Sequence, residues 1–359
     1  MMSTKHYNLH DILRVKINGL ESRINTSSVD PLSFFEVSRE SQEPDITLNL
    51  RKFVPSRNLT KCSRILRKYF VDEDYFYCKD SSGLMKWRFE INGLEGERTE
   101  INFSVDPNPF FTVFQALLSQ NLLLKHVIGL KLYQRGYFLL HAAGLTKDNL
   151  AYILVGPGGS NKTYLTNYLL RYAGFKFLGD DGVIIDNQKN ALCFPINLEL
   201  FNYKLTRRKQ EDLNLLDKLC IFLSNFLLVQ KPDGKKYIET SSTFDSLIFL
   251  VKTNCKRIEL SEVARKAAAR RIVEISRFEM RLSPIPMLFH ADSGRFLEYA
   301  LAYSFFFPNS SIAKYWTEYE NKLVQLLKGS NIYQLNVPPR LTPPLLKAIN
   351  GLFGKEVGR

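Results

Sequence analysis

Polar and apolar residues alternate along four stretches of the first third of the chain: residues 43–53 (EPDITLNLRKF), 74–80 (DYFYCKD), 84–93 (LMKWRFEING) and 97–105 (ERTEINFSV). A period of two is that of a half-buried strand. The Gly, Asn and Ser residues between them suit turns. Residues 1–130 are therefore expected to be a β-rich region. A helical stretch, 109–136, then leads into an apolar, strand-like run that ends at His141. Beyond it the pattern changes. LAYILV, 150–155, is a continuous apolar run and predicts a buried strand. TYLTNYLLRYA, 163–173, has the spacing of an amphipathic helix. FKFL, 175–178, is apolar except at Lys176 and predicts the next strand. NQKNALCFP, 187–195, suggests a hairpin. SLIFLVKT, 246–253, and IYQLNVP, 332–338, predict buried strands, and helices are expected over 260–278, 296–306 and 313–328. No repeat, low-complexity tail or clear linker interrupts the chain. The expectation is an α/β (α+β) protein, with region 1–130 packed on a core formed by 131–359.

The segment joining the 150–155 strand to its helix is GPGGSNKTYL, 156–165. It nearly completes the phosphate-binding pattern GxxxxGK[ST]: Gly156 opens it, Pro157, Gly158, Gly159 and Ser160 fill it, and Lys162 and Thr163 close it. Asn161 stands where the second glycine belongs. Strand–loop–helix is the context that gives the pattern meaning. Backbone N–H groups of a glycine-rich loop can converge on an anion, and the helix N-terminus adds partial positive charge. Lys162 would reach the β/γ-phosphates of ATP, and the Thr163 hydroxyl would hold Mg²⁺. The position before the lysine often needs positive φ, which asparagine tolerates better than most residues. The alternatives are an ordinary polar loop or a degenerate site.

A strand–helix–strand unit has parallel strands and a right-handed crossover, so the C-terminal ends of 150–155 and 175–178 should lie on one side of the sheet. GDD, 179–181, follows the second strand directly. That places Asp180 and Asp181 near Lys162 and Thr163. Carboxylates there can hold a metal, or one can take a proton from an attacking hydroxyl. Asp-Asp-Gly is also a good surface turn. His141 reads either as a hydrogen-bonded core histidine or as a residue at the edge of this site.

With these residues in place, the stretch from His141 to Asp186 resembles the catalytic core of the HPr kinase/phosphorylase-related proteins, relatives of the ATP-dependent phosphoenolpyruvate carboxykinases. The order of histidine, phosphate loop and aspartate pair, with Asp180 standing 18 positions after Lys162, carries the likeness. The resemblance implies a phosphate-loop kinase core in which residues 156–163 bind ATP phosphates and Mg²⁺. It further implies that one of Asp180 and Asp181 is the general base and the other a metal or positioning ligand, with His141 at the active-site edge. The chain departs from that family at Asn161, lacks a run like EVRGLGI, and carries a different N-terminal region. The implied acceptor is therefore an unidentified hydroxyl, such as a serine, rather than that of the bifunctional regulatory enzyme.

Composition adds bounds. The 359 residues, 45% hydrophobic and 24% charged, are those of an ordinary globular chain. No apolar run reaches the ~18 residues of a membrane span; the longest include 219–229. The N-terminus has no signal-peptide apolar core, so a cytoplasmic location is expected. Cys62, Cys78, Cys193, Cys220 and Cys255 are scattered without zinc-site spacing. The net charge of +13 attracts anions. The basic clusters at 204–209, with Arg207 and Arg208, and at 265–281 carry no nucleic-acid-binding signature, and both read first as solvated faces. The expected activity is ATP- and Mg²⁺-dependent phosphoryl transfer to a hydroxyl. The alternatives are a catalytically inactive nucleotide-binding regulatory module and, resting on charge alone, a nucleic-acid-associated NTPase. Homo-oligomerisation is left open.

Overall fold

The computed structural model describes residues 2–21, 32–38, 42–82, 85–106, 119, 123–195, 234–255, 257–279 and 295–353. The basic cluster 204–209, the apolar run 219–229, Cys220 and most of 109–122 lie outside the described residues. The described helices are α1 (Lys125–Gln134), α2 (Lys162–Tyr172), α3 (Arg265–Glu279), α4 (Arg295–Phe306), α5 (Ser311–Leu326) and α6 (Pro343–Leu352). None of them is long and apolar enough to cross a membrane. The chain is mixed α/β, with two large mixed sheets.

Contacts divide it into two units, Met1–Gly136 with Arg277–Tyr319, and Tyr137–Ser276 with Glu320–Arg359. The first therefore recruits a late segment that the sequence pattern placed with the core. Tyr299 of α4 explains this, because its buried ring packs 4.2 Å from Phe76.

The first unit holds β1 (Met2–Leu9), β2 (Leu13–Glu21), β3 (Glu36–Val37), β4 (Ile46–Leu50), β5 (Ser63–Ile65), β6 (Tyr69–Asp72), β7 (Tyr75–Ser82), β8 (Met85–Asn92) and β9 (Thr99–Val105). They form one sheet in the order β3-β1-β2-β4-β9-β8-β7-β6-β5. The β2–β4 and β4–β9 pairs are parallel. The expected alternation of residue types holds over 43–53, 84–93 and 97–105 but not over 74–80, where Tyr75, Phe76, Tyr77 and Cys78 are all buried. Ile46, Leu48, Trp87, Phe89, Ile91, Ile101 and Phe103 are buried with polar residues between them, and the unpredicted β2 shows the same pattern at Val15 and Ile17. A sheet with one apolar and one polar face reads this way.

The second unit holds β10 (Phe138–Leu140), β11 (Ala143–Lys147), β12 (Leu150–Val155), β13 (Lys176–Gly179), β14 (Val183–Ile185), β15 (Asn190–Cys193), β16 (Ser241–Lys252), β17 (Glu259–Glu262) and β18 (Asn331–Val337). Their order is β10-β14-β15-β16-β12-β11-β13, with β18 also on β16 and β17 on β18. Strand β11 runs antiparallel to both β12 and β13. The two strands joined by α2 are thus parallel, as expected, but β11 lies between them. The 187–195 hairpin appears as β14–β15. Leu165, Leu169 and Leu170 of α2 pack with Leu154, Phe177 and Ile248, and with Leu346 and Ile349 of α6.

One element differs from its expectation. Residues 259–262 are not the start of a helix. They form β17, an edge strand paired with β18 through Leu260 and Leu335, and the helix begins at Arg265. The open edge of β18 supplied a partner that a local pattern does not reveal.

Candidate active site

The register of the second sheet gathers the predicted residues at one end. Ala143 pairs with Leu154, and Gly144 with Gly179. Val155 therefore leads into the glycine-rich loop, Gly179 leads into Asp180, and His141 precedes β11, all at the same sheet edge. His141 is half-buried there.

The loop has the backbone that the asparagine substitution requires. Asn161 sits at φ 70° and ψ 16°, and Gly159 also has positive φ, 79°. Asparagine is among the few residues that accept the left-handed region without severe cost. Its side chain makes no helix-capping bond. The amide donates instead to the Pro339 carbonyl at 3.4 Å. The first N–H groups of an α-helix have no intrahelical acceptor, so those at the start of α2 face the loop without a side-chain cap. Gly156 is needed for close approach: a Cβ there would meet the Leu250 carbonyl oxygen at 2.7 Å and Ser160 Oγ at 2.8 Å. Ser160 is buried, and its hydroxyl has no hydrogen-bond partner among the described residues. A buried orphan hydroxyl costs about 1–3 kcal/mol, and an anion in the loop is the kind of ligand it fits.

Lys162 is buried, and its ammonium group donates to the Gly156 carbonyl and to that of Pro157 at 3.1 Å. Those bonds hold it inside the loop. The Thr163 hydroxyl lies 3.1 Å from each carboxylate oxygen of Asp180. Asp180 is only 6% exposed, which is not how a solvated surface turn presents itself. Asp181 is half-buried. The turn carrying both is held by glycine, since a Cβ on Gly179 would lie 1.9 Å from the Gly182 carbonyl oxygen.

Mg²⁺ demands octahedral geometry at 2.0–2.1 Å, so adjacent ligand oxygens sit about 2.9 Å apart. The spacing of Thr163 and Asp180 fits that edge. No cluster of three or more His, Cys, Asp or Glu side chains suited to a metal occurs among the described residues. A Mg²⁺ site of one or two carboxylates completed by phosphate oxygens and water needs none.

The sequence pattern did not single out Arg340, which the chain carries close to the loop. β18 runs parallel to β16, and β16 parallel to β12, so the chain leaves β18 on the side where the loop lies. Pro339 there accepts the Asn161 amide, and Arg340, which follows it, is exposed. The signal was available: VPPR directly follows a predicted parallel strand, and ligands bind beyond the carboxyl ends of such strands.

No protein-family model matches the chain, and no curated protein matches it. Among solved structures, that of the Hpr(Ser) kinase/phosphatase from Coxiella burnetii aligns at 14% identity over 60% of this chain and 93% of that chain, with a TM-score of 0.25. At that TM-score the likeness does not define the fold or the chemistry.

Proposed function

We propose that the second unit binds ATP and Mg²⁺ and transfers the γ-phosphoryl group to a hydroxyl, on a serine of a peptide or protein or on a small molecule. The observation that carries this reading is the Thr163–Asp180 contact beside the Lys162 loop. It joins a hydroxyl and a carboxylate where a phosphate-bound Mg²⁺ needs them. Mg²⁺, held by Thr163 and Asp180, would neutralise charge on the phosphates. Lys162 would exchange its loop carbonyls for phosphate oxygens, and Arg340 would add a second positive charge. Asp181, beside Asp180, would take the proton of the acceptor hydroxyl. As the acceptor oxygen bonds to the γ-phosphorus, the bond to the β–γ bridging oxygen breaks and ADP leaves. The protein's contribution is positioning and charge neutralisation.

A second reading, nucleotide binding without turnover, rests on Asn161 replacing glycine. Purified protein incubated with γ-labelled ATP, Mg²⁺ and a cell lysate tests both. Label transferred to an acceptor supports the kinase. Binding of ATP with no transfer and no hydrolysis supports the binding module. Absence of any ATP binding overturns both.

A further inference from the structure

The polar face of the first sheet carries side chains in register across parallel strands. Asn18, Asn49 and Asn102 face one another on β2, β4 and β9. Their amides form a chain with one direction. Thr4 donates to Asn18 at 3.0 Å, Asn18 to Asn49 at 2.8 Å, Asn49 to Asn102 at 2.9 Å and Asn102 to Glu90 at 2.9 Å. Glu90, only 1% exposed, also accepts from the Tyr75 hydroxyl at 2.9 Å and the Ser56 N–H at 2.9 Å. Fully satisfied polar networks of this kind rigidify their surroundings.

Beside this ladder lies a groove of about 690 Å³, within the size range of ligand sites. Its floor includes Thr47 and Asn49 of β4. Lys16 pairs with Thr47 on one side, and Glu100 with Thr47 on the other. Arg51 lines it just beyond β4. Arg98 and Glu43 also line it but neutralise each other in an ion pair. Glu100 is engaged by the Asn49 amide at 2.7 Å. Lys16 and Arg51 have no side-chain hydrogen bond or ion pair among the described residues.

Three features select the ligand. The two available cations call for negative charge. Thr47 and Arg51 are about 13 Å apart at the rise of a strand, a spacing that an extended ligand lying along β4 matches. No aromatic ring lines the groove among the described residues, so they offer no platform for a nucleobase to stack on. We propose that this groove binds an extended, hydrophilic peptide segment carrying acidic side chains, with carboxylates against Lys16 and Arg51 and main-chain groups against Thr47 and the exposed Glu100.

The proposal stands apart from the nucleotide reading and is tested without ATP. Short fluorescein-labelled Gly/Ser peptides with a central Asp-Glu, Lys-Lys or Ser-Ser pair are titrated with the full chain, and anisotropy is read. The acidic peptide should bind at least about tenfold tighter than the other two, and more weakly as salt rises. The Lys16→Glu/Arg51→Glu variant should lose that preference, with an unchanged circular dichroism spectrum. Equal binding of all three peptides overturns the proposal, as does no binding of the acidic one. Free glutamate competing as strongly as an unlabelled acidic peptide also overturns it, because that result describes a small-anion site.

Discussion

Thr163 in the first turn of α2 and Asp180 at the end of β13 are 17 residues apart and share a hydroxyl-to-carboxylate contact of 3.1 Å to both oxygens. The crossover that makes β12 and β13 parallel is what brings them together. Two such oxygens can act as neighbouring ligands of one cation. Replacing Thr163 with valine keeps the branched shape and removes the hydroxyl. Hydrogen bonds to charged groups contribute about 1.5–3 kcal/mol, so ATP affinity with Mg²⁺ should fall at least about tenfold. With EDTA present, the variant and the parent should bind ATP alike. Calorimetry in both conditions reads the difference, and an equal loss in both would remove the metal role from Thr163.

Lys162 is held by its own loop, through the carbonyls of Gly156 and Pro157. A ligand that draws it away must supply a better partner, and phosphate oxygens do so as charge-assisted acceptors. Lys162→Ala should cost about 1.5–3 kcal/mol of ATP binding, measured by calorimetry on a variant shown to be folded. Arg340→Ala should weaken ATP binding less, because Arg340 is exposed and its field is screened. Unchanged affinity in Lys162→Ala would refute the phosphate-loop assignment.

Asn161 at φ 70° separates backbone from side-chain roles. Asn161→Gly keeps the conformation available and should keep or raise ATP affinity. Asn161→Val puts a β-branched residue in the left-handed region, at a cost of about 1–2 kcal/mol or more. Its melting temperature should fall by several degrees. A glycine variant that no longer binds ATP would assign the asparagine amide, now on Pro339, a direct role. A glycine variant that gains turnover absent from the parent would identify Asn161 as the change that disabled the site.

His126 gives the first unit a dependence on pH. Its ring stacks 5.3 Å from Phe296. Burial, with Lys125 beside it, holds its pKa well below the ordinary histidine range. The folded protein therefore keeps the ring neutral where the unfolded chain binds a proton. Stability is fully present above the unfolded pKa near 6.5 and is lost as pH falls below it. The slope is at most about 1.4 kcal/mol per pH unit. Urea unfolding at several pH values between 7 and 5 should show this slope in the parent and a shallower one in His126→Leu. Parallel curves for the two proteins would remove His126 as the cause.

The local parts of the site were legible, and the topology joining them was less so. The strand before Gly156 and the strand before Asp180 are short apolar runs, the helix between them has its own period, and the loop has its own chemistry. β11 was not predicted as their separator, because AGLTK has no run distinguishing it from the turn after His141. The β1–β2 hairpin turns through His10 and Asp11 at φ 54° and 59°. Neither is glycine, so the usual turn signal is missing. Residues 260–262 look helical from sequence and pair instead with β18. Tyr299 and Tyr303 leave the late segment to serve the first sheet, where the Tyr303 hydroxyl accepts the Asp74 N–H at 3.0 Å. Those long-range choices depend on which open edge or apolar face awaits a partner.

Asp180 and Asp181 are adjacent in sequence and unlike in environment. Asp180 is buried and bonded to Thr163, whereas Asp181 is half-buried. The tight approach of Gly179 to Gly182 fixes the turn, so the two carboxylates cannot exchange places without backbone movement. If Asp180 holds the metal and Asp181 is the base, the isosteric amides should separate the two roles. Asp180→Asn should weaken Mg²⁺-dependent ATP binding and turnover together. Asp181→Asn should leave ATP binding largely intact and cut turnover by roughly 10²–10⁴-fold. Both variants are titrated with ATP at fixed Mg²⁺ and assayed on the acceptor that the labelling experiment identifies. The reverse pattern would exchange the two assignments. Two variants that bind and turn over like the parent would strip the pair of its chemistry and leave Asp180 a structural partner of Thr163.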